Sequence, residues 1–533
     1  MLQLNTQQKE LLNIQEASHF VSDLFGKNIT NSNISYLIQY GRVRKVGENG
    51  STQIYKSDLL EYYEKAFFHQ RKESWQNKLG EDLNWELSFD KYKESETTKH
   101  VHRLHPYKGK FIPQLVEYFL DDHTDDFKKQ NYFQRGDIIL DPFCGSGTTL
   151  VQAAELGINA IGVDVSAFNS LISNFKVGKY NFLEIEIEIN KITQEIENFV
   201  KKNNVIDFEK ELLQGLNKFN NEFFPTPEFR YKVRNKQIDE IEFGTKKSQE
   251  FLGKYYELIK KYNIQLKQAK SDSFLDKWYL ETVRKEIDFA FNLIKKVDNS
   301  NLKRLLTIIL SRTIRSCRAT THADLATLKE PVIETYYCSK HGKICKPLFS
   351  IASWWKRYSQ DTIKRLKEFD KLRTKTFQFC LQGDSRNINI IKELQSKSPQ
   401  IAEILENKKA KGIFSSPPYV GLIDYHEQHA YSYDLFGFER KDELEIGPLY
   451  KGQGKIAQES YIQGISEVLN NMKKFLVEDF DIFLVANDKY GLYSKIAENC
   501  NMKIVHQYKR PVLNRTEKDK GAYSEIIFHL KKK

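Results

Sequence analysis

Apolar positions along this 533-residue chain follow two regimes. Short, nearly unbroken apolar runs at 138–140, 159–164, 376–381, 411–415, 480–486, 503–509 and 524–530 end in Gly, Pro, Asp or charged residues. Runs of that length read as buried strands. Between the second and the third, from 179 to 374, apolar residues recur at helical spacing within charged segments, at 182–202, 246–262, 278–296 and 302–315. The pattern predicts an α/β protein whose sheet is interrupted by one large helical insertion. A smaller unit precedes it. Ile14, Ala17, Phe20, Val21 and Leu24 share one helical face, Gly26 and Asn28 break the period, and Thr30 or Asn31 caps a second helix bearing Ile34, Leu37 and Ile38. A basic hairpin then turns at 47–50, and Ser57-Asp58 starts a last helix over 59–65. The expected units are a module over 1–66, a charged linker over 67–100, sheet segments over 101–178 and 375–533, and the insertion over 179–374.

Composition narrows the class. Lys and Arg number 82 against 71 Asp and Glu, a formal +11 that suits a polyanionic partner. With 26 Gly, 12 Pro and 13% aromatic residues the chain is expected to fold throughout. Met1 to Leu11 is polar and no run is long enough to span a bilayer, so neither a secretory signal nor a membrane association is expected. Six scattered cysteines fit free thiols in a reducing compartment, the cytoplasm of a prokaryote.

Two stretches carry candidate chemistry. The first is Asp141-Pro142-Phe143-Cys144-Gly145-Ser146-Gly147-Thr148-Thr149, between a strand and a helix that stops at Gly157. Glycines let the backbone approach a ligand, and a helix start offers unpaired N–H groups. Asp164, closing the second strand, has the type and spacing of an acid that accepts hydrogen bonds from ribose hydroxyls. The loop is not Gly-x-Gly-x-x-Gly, which argues against a nicotinamide dinucleotide. The second stretch is Ser416-Pro417-Pro418-Tyr419, where two prolines end a strand and stiffen the backbone presenting an aromatic ring.

Together, Phe143-Cys144-Gly145-Ser146-Gly147 and Ser416-Pro417-Pro418-Tyr419 resemble the amino-group DNA methyltransferases that use S-adenosylmethionine. These pair a Phe-x-Gly-x-Gly loop with a (Ser/Asp/Asn)-Pro-Pro-(Tyr/Phe) loop. The resemblance covers about 100–178 and 375–533. It implies a Rossmann-like seven-stranded methyltransferase sheet, mostly parallel with one reversed strand. It assigns Asp141, Pro142, Phe143, Cys144, Gly145, Gly147, Thr148 and Asp164 to the cofactor, with His105 and Tyr107 closing over its methionine end and Asp384 meeting its adenine. Ser416 and the Pro417 carbonyl would hold the two hydrogens of a target amine, Pro418 would fix the loop, and Tyr419 would stack on an extruded base. One departure stands out: the insertion precedes Gly383-Asp384, whereas the usual layout keeps that strand with the cofactor half.

Serine at the first loop position resembles the N4-cytosine enzymes, with N6-adenine as the alternative, an RNA base methyltransferase or a non-catalytic regulator as rivals, and a cognate restriction endonuclease as a candidate partner. No cysteine follows a proline, which counts against carbon-5 methylation. The first module resembles a winged helix-turn-helix of excisionase or MerR type. Ser32 and Asn33 would then enter the major groove of double-stranded DNA, and Arg42, Arg44 and Lys45 would meet phosphates. Arg312, Arg315 and Arg318 form a second candidate DNA surface. Cys338-x-x-His341-x-x-x-Cys345 could supply three zinc ligands, with Cys317 or His322 as a fourth. The spacing lacks a doubled Cys pair, so free thiols and no metal are expected.

Overall fold

The computed structural model describes residues 10–25, 29–47, 51–66, 69–107, 109–268, 272–322, 330–513 and 521–533. Its main sheet has seven strands: β1 (Ile138–Asp141), β2 (Asn159–Asp164), β3 (Gln378–Gln382), β4 (Ala410–Ser415), β5 (Leu476–Ala486), β6 (Met502–Pro511) and β7 (Ser524–Lys532). They lie in the order β6-β7-β5-β4-β1-β2-β3. Neighbours among β1 to β5 pair in parallel, and β7 runs antiparallel to both β5 and β6. All seven expected strands form. Because β1 lies between β2 and β4, successive crossovers leave it toward opposite faces of the sheet. The crevice at the carboxyl ends of β1 and β4 is where such sheets bind ligands.

The insertion runs from helix Phe182–Lys201 to helix Ala352–Asp370 and includes an antiparallel hairpin, Tyr336–Cys338 with Lys343–Cys345. Its apolar faces are not a separate core. Ile189, Leu305 and Trp355 belong to the same buried cluster as Phe119, Leu150 and Phe168, which cover one face of the sheet. Ile161, Ile413, Ile465 and Ile482 fill the other face. Gln378–Gln382 pairs with β2, with Gly162 opposite Cys380. The insertion point is therefore the unusual feature, and Asp384 still follows the third strand.

The N-terminal module has its own core of Leu12, Val21, Ile34, Leu37, Ile54 and Leu59. It holds helices Ile14–Phe25, Asn31–Gln39 and Lys56–Ala66 and a three-stranded sheet in which Gln53–Tyr55 lies between Leu11–Asn13 and Lys45–Val46. Thr30 caps the second helix: its Oγ1 accepts from the Asn33 N–H while Asn33 Oδ1 accepts from the Thr30 N–H. Residues 69–103 do not run free. Trp75, Leu83 and Trp85 cluster with Leu513 and Ala522, and the Asn84 N–H donates to the Lys509 carbonyl at 2.7 Å. This segment covers part of edge strand β6, whose backbone would otherwise be open to pairing. Among the described residues no helix is long and apolar enough to cross a membrane.

Candidate active site

The first loop leaves β1 at Asp141 and enters helix α1 (Thr148–Leu156) through two left-handed glycines, Gly145 at φ 50° and Gly147 at φ 75°. Side chains from helix α2 (Ala167–Val177) hold it from behind. Ser173 Oγ donates to the Gly145 carbonyl at 3.0 Å, and the buried Lys176 ammonium donates to the Ser146 carbonyl at 2.7 Å. Asp164 braces the loop from β2. Its carboxylate accepts from the backbone N–H groups of Gly145 (2.8 Å) and Ser166 (2.9 Å) and from the Asn169 amide (3.1 Å).

The second loop leaves the adjacent strand β4. Leu140 pairs with Ile413, and Ser415 Oγ donates to Asp141 Oδ1 at 2.5 Å, so the two strand ends are tied directly. Gly145 and the Ser416-Pro417-Pro418 turn consequently open on one cavity. Among its lining residues are Tyr107, Pro142, Phe143, Cys144, Thr148, Asp164, Asp384, Ser416 and Pro418. Ser416 Oγ donates to the Val485 carbonyl at 3.0 Å, which commits its proton and leaves lone pairs to accept. The Tyr419 hydroxyl donates to Glu525 Oε1 at 2.8 Å, and burial together with Glu525 pushes its pKa well up.

Other sequence candidates lie elsewhere. His105 is fully buried behind the cavity, with Nε2 at 3.1 Å from Ser311 Oγ and its ring against Phe168 and His429. It packs the wall and does not reach the opening, whereas Tyr107, two residues on, does. Asp141, Gly147, Pro417 and Tyr419 support the wall without lining it. Arg312 corrects another expectation. It is buried, donates to Asp361 and Thr362 at 2.6 Å each, and stacks 4.4 Å from the Tyr358 ring centroid. That guanidinium joins helix Ser300–Ser316 to helix Ala352–Asp370 rather than facing a phosphate. Arg318 is also buried, over the Tyr431 ring, and Arg315 is half-exposed. Arg44 is bound to Asp58 and stacks on Tyr55, while Ser32 and Asn33 are exposed and Arg42 and Lys45 half-exposed.

Several lining residues escaped sequence reasoning. Phe111, Ser166 and Asn169 line the cavity, as does Glu445, whose carboxylate accepts from the His426 N–H at 2.8 Å and the Tyr425 N–H at 3.2 Å and contacts His426 Nδ1. Ser166 had a detectable signal, since it caps α2 two residues after an acid that ends a strand.

The cavity suits S-adenosylmethionine by its donor set. Ser146 Oγ and Asn169 Oδ1 are buried without a protein partner, and both residues line it. Asp164 retains lone pairs for ribose hydroxyls, and Asp384, held by Arg386 at 2.8 Å, stands at the end of β3. Burial raises the Asp164 carboxyl to about 6 against the lowering effect of its three hydrogen bonds. Ribose hydroxyls donate to the ionised form, so a proton competes with the ligand. Cofactor affinity should therefore weaken by about tenfold per pH unit below that value. Stability runs the other way: the contribution of a raised carboxyl is full below its unfolded pKa, 3.8, and is lost as pH rises through about 6. Titration calorimetry across this range checks the first statement; a flat profile contradicts it.

Comparison with known proteins bears on this site. A family described as "DNA methylase" matches residues 33–174, and a methyltransferase-domain family matches 130–222. The chain is 48% identical over 527 residues, 98% of its own length and 97% of the relative's, to the type II methyltransferase M.MjaII of Methanocaldococcus jannaschii. It is 34% identical over 88 residues, 16% of each chain, to the type II methyltransferase M.BsoBI of Geobacillus stearothermophilus. A shorter match, 34% over 59 residues, 11% of this chain and 17% of the relative, is to a tRNA (guanine(10)-N2)-dimethyltransferase of M. jannaschii. With full-length likeness at that identity and both loops on one cavity, the chain belongs to the type II DNA methyltransferases of restriction-modification type, a family whose methyl donor is in general S-adenosylmethionine.

Proposed function

We propose that this protein methylates the N4 amino group of a cytosine turned out of duplex DNA. The observation that carries the reading is the Ser416 hydroxyl, which donates to the Val485 carbonyl and so offers acceptor lone pairs at the cavity wall. An exocyclic amine is a poor nucleophile because its lone pair is delocalised into the ring. Acceptors for its two hydrogens draw the nitrogen toward tetrahedral geometry and free that lone pair. Ser416 Oγ and the Pro417 carbonyl fill this role, and the two prolines keep their spacing fixed. When bound, S-adenosylmethionine supplies an electrophilic methyl group. Asp164, Asn169, Ser146 and Asp384 hold it, and Tyr107 bounds the cavity above Gly145. The Tyr419 ring, anchored through Glu525 and following the cavity-lining Pro418, would stack on the extruded base from beside the cavity.

The N-terminal module serves as a winged helix-turn-helix on DNA. Exposed Ser32 begins its second helix, and Arg42 lies near Arg234 on helix Glu228–Arg234. Burial, with Arg42 and Arg230 nearby, holds the Arg234 guanidinium below its ordinary pKa. Arg42, Arg230 and Arg234, with Glu240 paired to Arg230 at 3.5 Å, leave a net positive patch that suits a polyanion. A separate cognate endonuclease, or none, is the reading for a functional partner. Nucleoside mass spectrometry of duplex DNA treated with the enzyme should show N4-methylcytosine. N6-methyladenine would move the assignment to the adenine branch, and methylation of ribosomal RNA in preference to duplex DNA would overturn the reading.

A further inference from the structure

Outside the cavity lining, four side chains converge around the insertion hairpin. One ligating atom from each of His322, Cys338, His341 and Cys345 lies within 4.8 Å of the other three. We propose that these residues form a structural zinc site that closes the chain between helix Ser300–Ser316 and the hairpin. The sequence reading favoured free thiols because it saw one Cys-x-x-His-x-x-x-Cys stretch with no second pair. Of the two candidates for a fourth ligand, the fold brings in His322, 16 positions before Cys338. The other, Cys317, is buried outside this group.

Two imidazoles and two thiols at this spacing are the donor set of an N₂S₂ zinc centre. His341 Nδ1 lies 3.4 Å from Cys345 Sγ, about the separation of two ligands on one ion with Zn–N near 2.0 Å and Zn–S near 2.3 Å. The His322 and His341 rings are edge-on with centroids 4.3 Å apart. The Tyr336 hydroxyl is 2.8 Å from His322 Nδ1, which leaves Nε2 for the ion and supplies the outer hydrogen bond that orients a ligating imidazole. The knuckle is pre-shaped. The His341 and Gly342 N–H groups both donate to the Cys338 carbonyl, at 3.1 and 2.6 Å, and Gly342 takes φ 63° to close the turn. Cys338 and Cys345 lie at the ends of the two short strands, three residues each, which have little pairing of their own to hold them. Binding would release two thiol protons to solvent and form two Zn–S and two Zn–N bonds, without redox change.

The consequence reaches the N-terminal module. Arg230 donates to the Lys340 carbonyl at 2.6 Å within the knuckle. A Cβ added at Gly41 would lie 3.1 Å from Arg230 Cβ, so the N-terminal module rests on the same residue. The zinc clip thus seats the hairpin, and through Arg230 the module, on the insertion.

Full-length protein purified without chelator should carry about one zinc per chain by atomic emission. Cys338→Ser and Cys345→Ser should each lower that to under about one tenth, while His341→Cys, which restores a soft ligand, and Cys317→Ser should keep it. If the serine variants fail to fold, metal-free wild-type protein titrated with cobalt(II) decides. The visible bands of tetrahedral cobalt with thiolate charge transfer, saturating at one equivalent and abolished by zinc, support the site. Zinc that stays at full content in folded Cys338→Ser, or wild-type protein with neither zinc nor a tetrahedral cobalt spectrum, overturns it.

Discussion

Ser416→Ala should lower methyl transfer by about 10²–10³-fold, the usual cost of removing one preorganised hydrogen-bonding group from a transition state. Affinity for S-adenosylmethionine should stay within about twofold, because Ser416 belongs to the second loop, whereas the holding groups sit in the loop after β1, at the end of β2, on α2 and in the turn after β3. The expected separation of kcat from cofactor binding follows from how the loop is held. Pro417 is buried and Ser415 is tied to Asp141, so deleting the Ser416 hydroxyl removes an acceptor without releasing the backbone. The variant also strands the Val485 carbonyl, a modest cost in stability that thermal melting can measure apart from activity. Tyr419→Phe provides the contrast. It keeps the ring and loses the hydroxyl's contacts with Glu525 and Ser416, so the effect should stay under about tenfold. Single-turnover transfer with tritiated cofactor reads both. Undiminished transfer by Ser416→Ala would remove Ser416 from the chemistry and with it the argument for the N4 amine.

These loops were legible because both are local. A strand that ends in Asp-Pro-Phe-Cys-Gly and one that ends in Ser-Ser-Pro-Pro need only their own residues to be read, and the pairing of Leu140 with Ile413 does the rest. The strands were equally local, since a run buried on both faces stays apolar whichever neighbour it finds. What failed depended on return journeys of the chain. Glu445 comes from a stretch between helices Ala430–Phe436 and Lys455–Met472 with no periodicity to mark it, and only folding brings it against His426. Arg312 looked like a DNA contact because a basic stretch resembles a solvated face. Asp361, which pairs with it, is 49 residues away and gave no local hint. Of the two residues expected from the His-Pro-Tyr stretch, Tyr107 lines the cavity and His105 is buried behind it.

Gly147→Val should damage the fold severely, by about 2–5 kcal/mol in stability, through two additive mechanisms. A β-branched residue in the left-handed region costs about 1–2 kcal/mol, and overpacking adds about 1–3 kcal/mol. The second cost is unavoidable here because a Cβ at 147 would meet Ser173 Oγ at 2.9 Å, Cβ at 3.0 Å and Cα at 3.1 Å, backbone of helix α2 included. Relief requires α2 to move, and α2 begins with Ser166 and carries Asn169 and Ser173, which fix Asp164 and the Gly145 carbonyl. Cofactor binding should be lost together with stability, in a urea titration and a calorimetric binding assay on the same preparation. Gly145→Ala should do less to the fold. The nearest atom there is the Tyr107 hydroxyl, at 3.0 Å, the far end of a side chain that can swing, so the damage falls on the cavity wall. Gly253 sets the opposite bound: mid-helix in Glu240–Tyr262 with nothing within 4 Å of an added Cβ, its change to Ala should stabilise by about 0.5–1 kcal/mol. A Gly147→Val protein that binds cofactor normally would mean that the loop keeps its shape without α2 behind it, and the cradle would then owe nothing to that contact.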